Sequence, residues 1–445
     1  MKYDVMGMDG LNLDQAGVHK IRFTRYPDWM FIYPTLLKEG EKGDFSRAYE
    51  QFGLEFNNMP LYYKAPLFPA VLSASHRLFT KPEQPFTVLN TRTDFDMQRI
   101  EFNWYFMQAQ FWAVIVPMFS SLLVVLMTFF FSRQFFDGRT SLYAMLFMAI
   151  HPVDVVTSYK LLTDDFVTFF VIASLFLFFL ACKKKNAFIA LLAGMTEGLA
   201  LLSKQSAVLV FPTAVLFFLF TSEEKWFHPR AWILALKSKI LWGYFLGAAF
   251  ISAHWFFKVY QVYGNPFYQP DSSRMLNEDL SGWFGILSHR PHAFLLFLFN
   301  IPALCPVFLF GHMTFGYFFN ALDPRKADLE KNRGLVLLWF WVLPFLLFFT
   351  FRIESREERY LLPVYPALAI LSGYGFSSFQ ERIARYFSRP ALGRTFAFLF
   401  IAGTVAWSVP IGLESVFKER FLILEPAKLA RVFYQTAPKT MGWTP

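Results

Sequence analysis

The strongest constraint on this chain is a series of long apolar runs broken by short basic segments. A helix that crosses a bilayer takes about 20 mostly apolar residues. Runs of that kind fall near 110–131, 140–158, 165–182, 187–203, 206–220, 239–259, 291–311, 334–351, 360–378 and 395–415. They predict an all-α polytopic membrane protein with about ten transmembrane helices. Composition agrees, since 55% of the 445 residues are hydrophobic, 59 are Phe and only 17% are charged. The runs 187–203 and 206–220 are short and have Lys204 between them, so they read as a helical hairpin.

The formal charge of +9 is explained by basic loops retained on the cytoplasmic side and does not point to a nucleic acid. Alternate loops carry Arg133 and Arg139; Lys183, Lys184 and Lys185; Lys225, Arg230, Lys237 and Lys239; Arg325, Lys326, Lys331 and Arg333; and Arg382, Arg385, Arg389 and Arg394. The opposite short loops hold Lys160, Lys204, Arg352, Arg356 and Arg359, with Arg274 and Arg290 in the longer connection. The first 108 or so residues and the loops at 160–165 and 352–360 are therefore expected on the exoplasmic face. A segment of that size needs something to carry it across: either a further helix lies upstream of Met1, the favoured expectation, or insertion of the first run draws the polar head across.

The expected organisation has three parts. Residues 1–108 form an exoplasmic or interfacial loop, 109–415 the helical membrane domain, and 416–445 an exoplasmic or interfacial tail. In the loop, PLFPAVLSASHRLF at 66–79 is too short to span and suits an amphipathic surface helix started by Pro66. The two cysteines, Cys182 and Cys305, lie in apolar runs without metal-ligand or disulfide spacing. His151, His228 and His254 also lack metal-ligand spacing. No dedicated metal motif is present, and a divalent cation is left open as a cofactor.

Carboxylates at a membrane boundary are costly unless water, a partner or a substrate satisfies them. The exoplasmic candidates are Asp28 in TRYPDWMFIYP and the pair Asp164 and Asp165 in SYKLLTDDFVTFF. Asp164 and Asp165 also stand where a helix N-cap would, favoured by the helix dipole, and Asp28 also reads as a solvated loop acid. The cations on the same face are Lys64, Lys204, Arg356 and Arg359, each of which alone reads as an interfacial snorkelling residue. Together, acids and cations on one face suit a reaction with a phosphate leaving group and a hydroxyl or amine nucleophile. Glu197 is unusual in its apolar setting, and its spacing to Lys204 suggests a pair two helical turns apart.

At these residues the chain resembles the GT-C glycosyltransferases that use polyprenyl-phosphate sugars, in the branch of protein O-mannosyltransferases and the lipid A aminoarabinose transferase. The resemblance spans most of the chain. It rests on PDW at 27–29, GDF at 43–45, YKAPLFP at 63–69, TDDF at 163–166, SKQSA at 203–207 and RYLLP at 359–363. The stretch SRQFFDGRTSLYAMLFMAIHP at 132–152 matches the family's basic turn and the Pro-terminated span after it. The sequence departs at Trp29, where the family carries Glu beside the Asp, and at Ala65, where it carries Pro. Asp14 in NLDQAG offers a second register, too far from Gly43.

The resemblance implies an inverting transferase acting on the exoplasmic face, and the compact chain without a long soluble lumenal domain leads to the expectation of a bacterial inner membrane. Asp28 would be the general base and Asp164 would orient acceptor or sugar. Lys64, Arg359 and Tyr360 would hold the lipid phosphate, joined by Lys204 and Arg356. The implied partners are a polyprenyl-phosphate sugar donor and a glycan, lipid or protein acceptor. Two readings compete: a transporter or flippase of a lipid-linked sugar, and an inactive relative that Trp29 would explain. Against the transporter, the acids sit at one face and the halves show no repeat.

Overall fold

The computed structural model describes residues 12–13, 19–20, 65–68, 70–71, 104–159, 162–221, 228–267, 296–322, 329–352 and 358–436. The helices are α1 (Trp104–Ser132), α2 (Gly138–Ala149), α3 (Pro152–Ser158), α4 (Asp164–Lys184), α5 (Ala187–Leu201), α6 (Val210–Thr221) and α7 (Pro229–Leu236). They continue with α8 (Lys239–Tyr263), α9 (Ile301–Leu304), α10 (Phe308–Met313), α11 (Phe315–Ala321), α12 (Leu329–Arg352), α13 (Tyr365–Tyr386) and α14 (Pro390–Thr436). Short 3-10 segments, Gln205–Leu209 and Glu358–Val364, lead into α6 and α13.

Two compact units divide the chain. One comprises Met1–Pro60, Pro69–Ile115 and Leu413–Pro445. Within it a two-residue strand, Asn12–Leu13, pairs antiparallel with His19–Lys20 in the register Asn12 to Lys20. The other unit comprises Leu61–Phe68 and Val116–Gly412 and contains the candidate site.

The all-helical membrane fold predicted from the apolar runs is present. Among the described residues five helices are long and apolar enough to cross a membrane: Ile115–Ser132, Asp164–Lys184, Lys239–Gln261, Lys331–Thr350 and Pro390–Glu414. A sixth is obtained if α2 and α3, bent by 56°, form one span. Shorter apolar helices among the described residues, Ala187–Leu201 and Gln205–Thr221, fall on two more of the expected runs. The run at 291–311 is cut into a π turn at Leu296–Asn300 and the short helices α9 and α10. Pro302 and Pro306 explain the breaks, because proline supplies no N–H to continue a helix.

Local chemistry fixes the helix ends around the site. Asp137 caps α2 by accepting from the Thr140 N–H at 3.1 Å. Partial burial pushes the Asp137 carboxyl up, but the Thr140 hydroxyl and N–H and the Arg139 charge outweigh it and hold it below its ordinary value. His151 caps α3 through Nδ1, with Pro152 in the first turn where its missing N–H costs nothing. Asp164 and Asp165 occupy the first turn of α4 and Lys183 and Lys184 its last, so both charge types complement the helix dipole. Lys185 closes α4 in the left-handed region at φ 50°, and Asn186 caps α5 by accepting from the Phe188 N–H at 2.8 Å.

This connection makes α4 and α5 an antiparallel pair. At about 1.5 Å per residue, the 21 residues of α4 separate Asp164 from the basic turn by about 31 Å, close to a bilayer core. The chain then returns along α5, so Lys204 emerges beside the start of α4. α5 packs closely on α8 through glycines: a Cβ at Gly194 would lie 1.9 Å from the Tyr244 carbonyl oxygen, and one at Gly247 2.3 Å from that of Leu191. α13 is buried along most of its length and packs on α2 and α10. Tyr143 of α2 donates to Gln380 Oε1 of α13 at 3.0 Å, and Thr213 of α6 donates to the Phe340 carbonyl of α12 at 2.9 Å.

Candidate active site

Four chain segments that are distant in sequence meet at the head of α4. The first is the start of α4 itself. Asp164 lies in its first turn with a side chain only 3% exposed, and its backbone carbonyl accepts from the Thr168 hydroxyl at 2.6 Å. Thr163 precedes the helix without a side-chain capping bond, so the helix start leaves both carboxyls available to other groups.

The second segment is the break between α5 and α6. α5 ends at Leu201, and the backbone turns through N–H bonds from Ser203 and Lys204 to the Ala200 carbonyl. Lys204 is extended, at φ −155° and ψ 127°, which aims its side chain away from the helix axis. Its Nζ reaches Asp164 Oδ1 at 2.6 Å with 21% of the side chain exposed. The expected pairing of Glu197 with Lys204 is not formed. α5 stops three residues short of Lys204, so helical spacing does not extend to it, and Glu197 is buried near Ser174 and Tyr244 instead.

The third segment is the 3-10 turn Glu358–Val364, which packs on α4 and α3. It presents Tyr360, whose ring centroid lies 4.9 Å from Lys204 Nζ and 5.5 Å from the Arg359 guanidinium carbon. The aromatic ring therefore attracts two cations. Phe349 of α12 stacks on the same ring, at 5.7 Å and 14° between planes, which fixes the orientation of Tyr360.

The fourth segment is the start of APLF. The Leu67 N–H donates to the Leu202 carbonyl at 2.8 Å, and Phe68, wholly buried, packs on Phe166 at 5.3 Å between centroids. This first turn is therefore packed on the bundle, while most of the surface helix expected at 66–79 lies outside the described residues. Lys64 immediately precedes it but lies outside the described residues, as do Asp28 and Arg356.

The structure thus gathers Asp164, Lys204, Arg359 and Tyr360. Chemically, the group is a carboxylate partly neutralised by one ammonium, with a tyrosine ring near that ammonium and near a guanidinium. It can hold a phosphate by charge and hydrogen bonding while leaving a carboxylate nearby. Among the described residues no three His, Cys, Asp or Glu side chains come together as a metal-holding group.

Directly behind Asp164 lies a pair of buried acids whose partnership was not foreseen, Asp154 of α3 and Asp165 of α4. The Ser121 hydroxyl donates to Asp154 Oδ2 at 2.8 Å, and the Thr157 hydroxyl lies 3.2 Å from Asp165 Oδ1. The signal available in the sequence was a lone acid in the apolar stretch HPVDVVTS.

Residues 102–257 match the family model described as dolichyl-phosphate-mannose-protein mannosyltransferase. That segment includes Asp164 and Lys204. ArnT from Cupriavidus metallidurans, in its crystal structure bound to undecaprenyl phosphate, is similar with a TM-score of 0.51 and 15% identity, over 93% of this chain and 76% of that one. AglB from Archaeoglobus fulgidus, an archaeal oligosaccharyltransferase in complex with an inhibitory peptide and a dolichol-phosphate, is similar with a TM-score of 0.48 and 13% identity, over 79% of this chain and 48% of that one. A protein of Aquifex aeolicus (strain VF5) is 26% identical over 247 residues, which make up 55% of this chain. The matched region spans 45% of that relative's length.

Proposed function

We propose that this protein is a membrane glycosyltransferase that moves a sugar from a polyprenyl-phosphate donor to a hydroxyl or similar acceptor. The observation that carries the reading is the convergence of Lys204, Arg359 and Tyr360 around Asp164 at one end of the bundle. A lipid-linked donor brings its phosphate to the membrane boundary, where such a cluster stands. The family match over 102–257 and the ArnT-like fold support the same class.

In the reaction, the acceptor oxygen attacks the anomeric carbon from the side opposite the phosphate. The bond from that carbon to the phosphate oxygen breaks, and its electron pair leaves with the polyprenyl phosphate, so the anomeric configuration inverts. Lys204 and Arg359 meet the charge that develops on the leaving oxygen, and Tyr360 donates its phenolic proton in a hydrogen bond to the phosphate. Asp164 orients the acceptor or sugar and holds Lys204 in place. The proton released by the acceptor goes to Asp28, with Lys64 and Arg356 as further phosphate ligands. Basic turns at the far end of α4 favour an exoplasmic site, on the periplasmic face of a bacterial inner membrane.

The test uses the purified full chain with radiolabelled polyprenyl-phosphate sugars, comparing wild type with Asp164→Asn and Asp28→Asn. Sugar transfer by the wild type and its loss in the variants is the expected result. Lipid-linked sugar moved across a vesicle membrane without cleavage would replace this reading with a flippase.

A further inference from the structure

We propose that Asp154 and Asp165 share one proton and act together as positioning residues, bracing the first turn of α4 so that Asp164 faces Lys204. The inference rests on the glycosyl-transfer reading of Asp164 and extends it to two acids outside the substrate-facing cluster.

Both side chains are buried, on different helices, and the Thr157 hydroxyl, one turn after Asp154 on α3, lies 3.2 Å from Asp165 Oδ1, which brings the two carboxyl groups to the same place. Among the described residues, Asp154 Oδ1 and Asp165 Oδ2 have no hydrogen-bond partner. Local donors do not suffice. The Ser121 hydroxyl serves Asp154 Oδ2 at 2.8 Å. The Thr157 hydroxyl has one proton to give, yet lies 2.9 Å from the Val153 carbonyl oxygen and 3.2 Å from both the Asp154 carbonyl oxygen and Asp165 Oδ1. Two ionised carboxylates in contact would repel each other in an apolar interior, whereas a single proton between them makes a charge-assisted hydrogen bond.

The position of this bond gives it a role. It ties α3 to α4 across the connection at 159–163, on the side of the helix start away from the solvent-facing cluster. Successive residues on a helix point about 100° apart, so Asp165 can face inward while its neighbour Asp164 faces Lys204 at 2.6 Å. Loosening the brace would let the first turn of α4 rotate or fray, and Asp164 would move with it.

An amide can replace one member of such a pair, because its NH₂ donates to the remaining carboxylate, while alanine cannot. Asp165→Ala is expected to lower kcat about 10- to 100-fold, the scale of a small misplacement of a reacting group, with the KM for donor little changed. Asp165→Asn and Asp154→Asn should each restore most of the turnover that alanine removes. Infrared spectroscopy of the full chain at neutral pH, in a Glu197→Gln background that removes another buried carboxyl, reads the shared proton without any assay: a protonated-carboxyl C=O band should be present when both aspartates are intact and absent from both Asn variants. Turnover in Asp165→Asn as low as in Asp165→Ala would overturn the proposal, as would absence of the band when both aspartates are intact. If alanine at 165 prevents folding, the infrared comparison still decides. Presence of the band together with no sugar transfer by wild type would sink the proposed activity and leave the shared proton standing.

Discussion

Lys204 Nζ lies 2.6 Å from Asp164 Oδ1, joining the head of α4 to the break that follows α5. The carboxylate side chain is only 3% exposed, so it depends on that ammonium for most of its charge compensation. The ammonium, 21% exposed, also faces the Tyr360 ring and retains access to water or to an arriving phosphate. The pair therefore serves the fold and the proposed chemistry at once.

Lys204→Met should destabilise the protein by about 1–3 kcal/mol, less than for a fully buried pair because the lysine is partly solvated. Adding Asp164→Asn to Lys204→Met should recover part of that loss, since the carboxylate is no longer stranded. Thermal unfolding in detergent for the two single variants and the double variant gives the coupling directly. Strict additivity would show that the contact contributes nothing to stability.

In the proposed reaction Tyr360 has two separable roles, a ring beside Lys204 and Arg359 and a phenol for the phosphate. Tyr360→Phe keeps the ring and should weaken donor affinity only modestly, whereas Tyr360→Ala should weaken it by about 2- to 30-fold more. Donor titrations followed by tryptophan quenching would separate the two. Equal losses in both variants would assign the whole effect to the hydroxyl.

Asp28→Asn should abolish transfer while leaving membrane insertion and donor binding intact, because the amide keeps the side-chain shape but cannot take a proton from the acceptor. Single-turnover sugar release alongside equilibrium donor binding is the appropriate pair of measurements. Full turnover in this variant would remove the general-base assignment.

The site was legible where chemistry and topology pointed the same way. TDDF, SKQSA and RYLLP each place a charged residue at the end of an apolar run, and those ends must collect on one face if the runs are antiparallel helices. Two contacts were not legible because they depend on where a helix stops. Glu197 and Lys204 are spaced for one helical face, but α5 ends at Leu201, and the turn swings Lys204 to Asp164. Asp154 and Asp165 meet only because α2 and α3 bend by 56° at a Pro-led helix start, which brings α3 against the head of α4. Helix breaks inside a run were not legible either, since a run such as 291–311 has the apolarity of a crossing but prolines that divide it.

The packing of α5 on α8 sets where Lys204 emerges, and it rests on glycines that admit backbone contact. A methyl group at Gly194 would sit 1.9 Å from the Tyr244 carbonyl oxygen, and one at Gly247 2.3 Å from the Leu191 carbonyl oxygen. Both obstacles are backbone atoms of a neighbouring helix, so relief requires the helices to move apart and not merely a side chain to turn. Gly194→Ala and Gly247→Ala should each cost about 1–3 kcal/mol or more in stability. Gly403→Ala on α14 meets nothing within 4 Å and should be neutral or slightly stabilising, as expected for alanine within a helix. Because α5 leads directly into Lys204, the two destabilised variants should also bind donor more weakly, and Gly403→Ala should not. Thermal midpoints and donor affinities measured on the same three preparations test both effects. Loss of stability with donor affinity unchanged would show that the lysine's position is set by its own turn and not by the helix packing behind it.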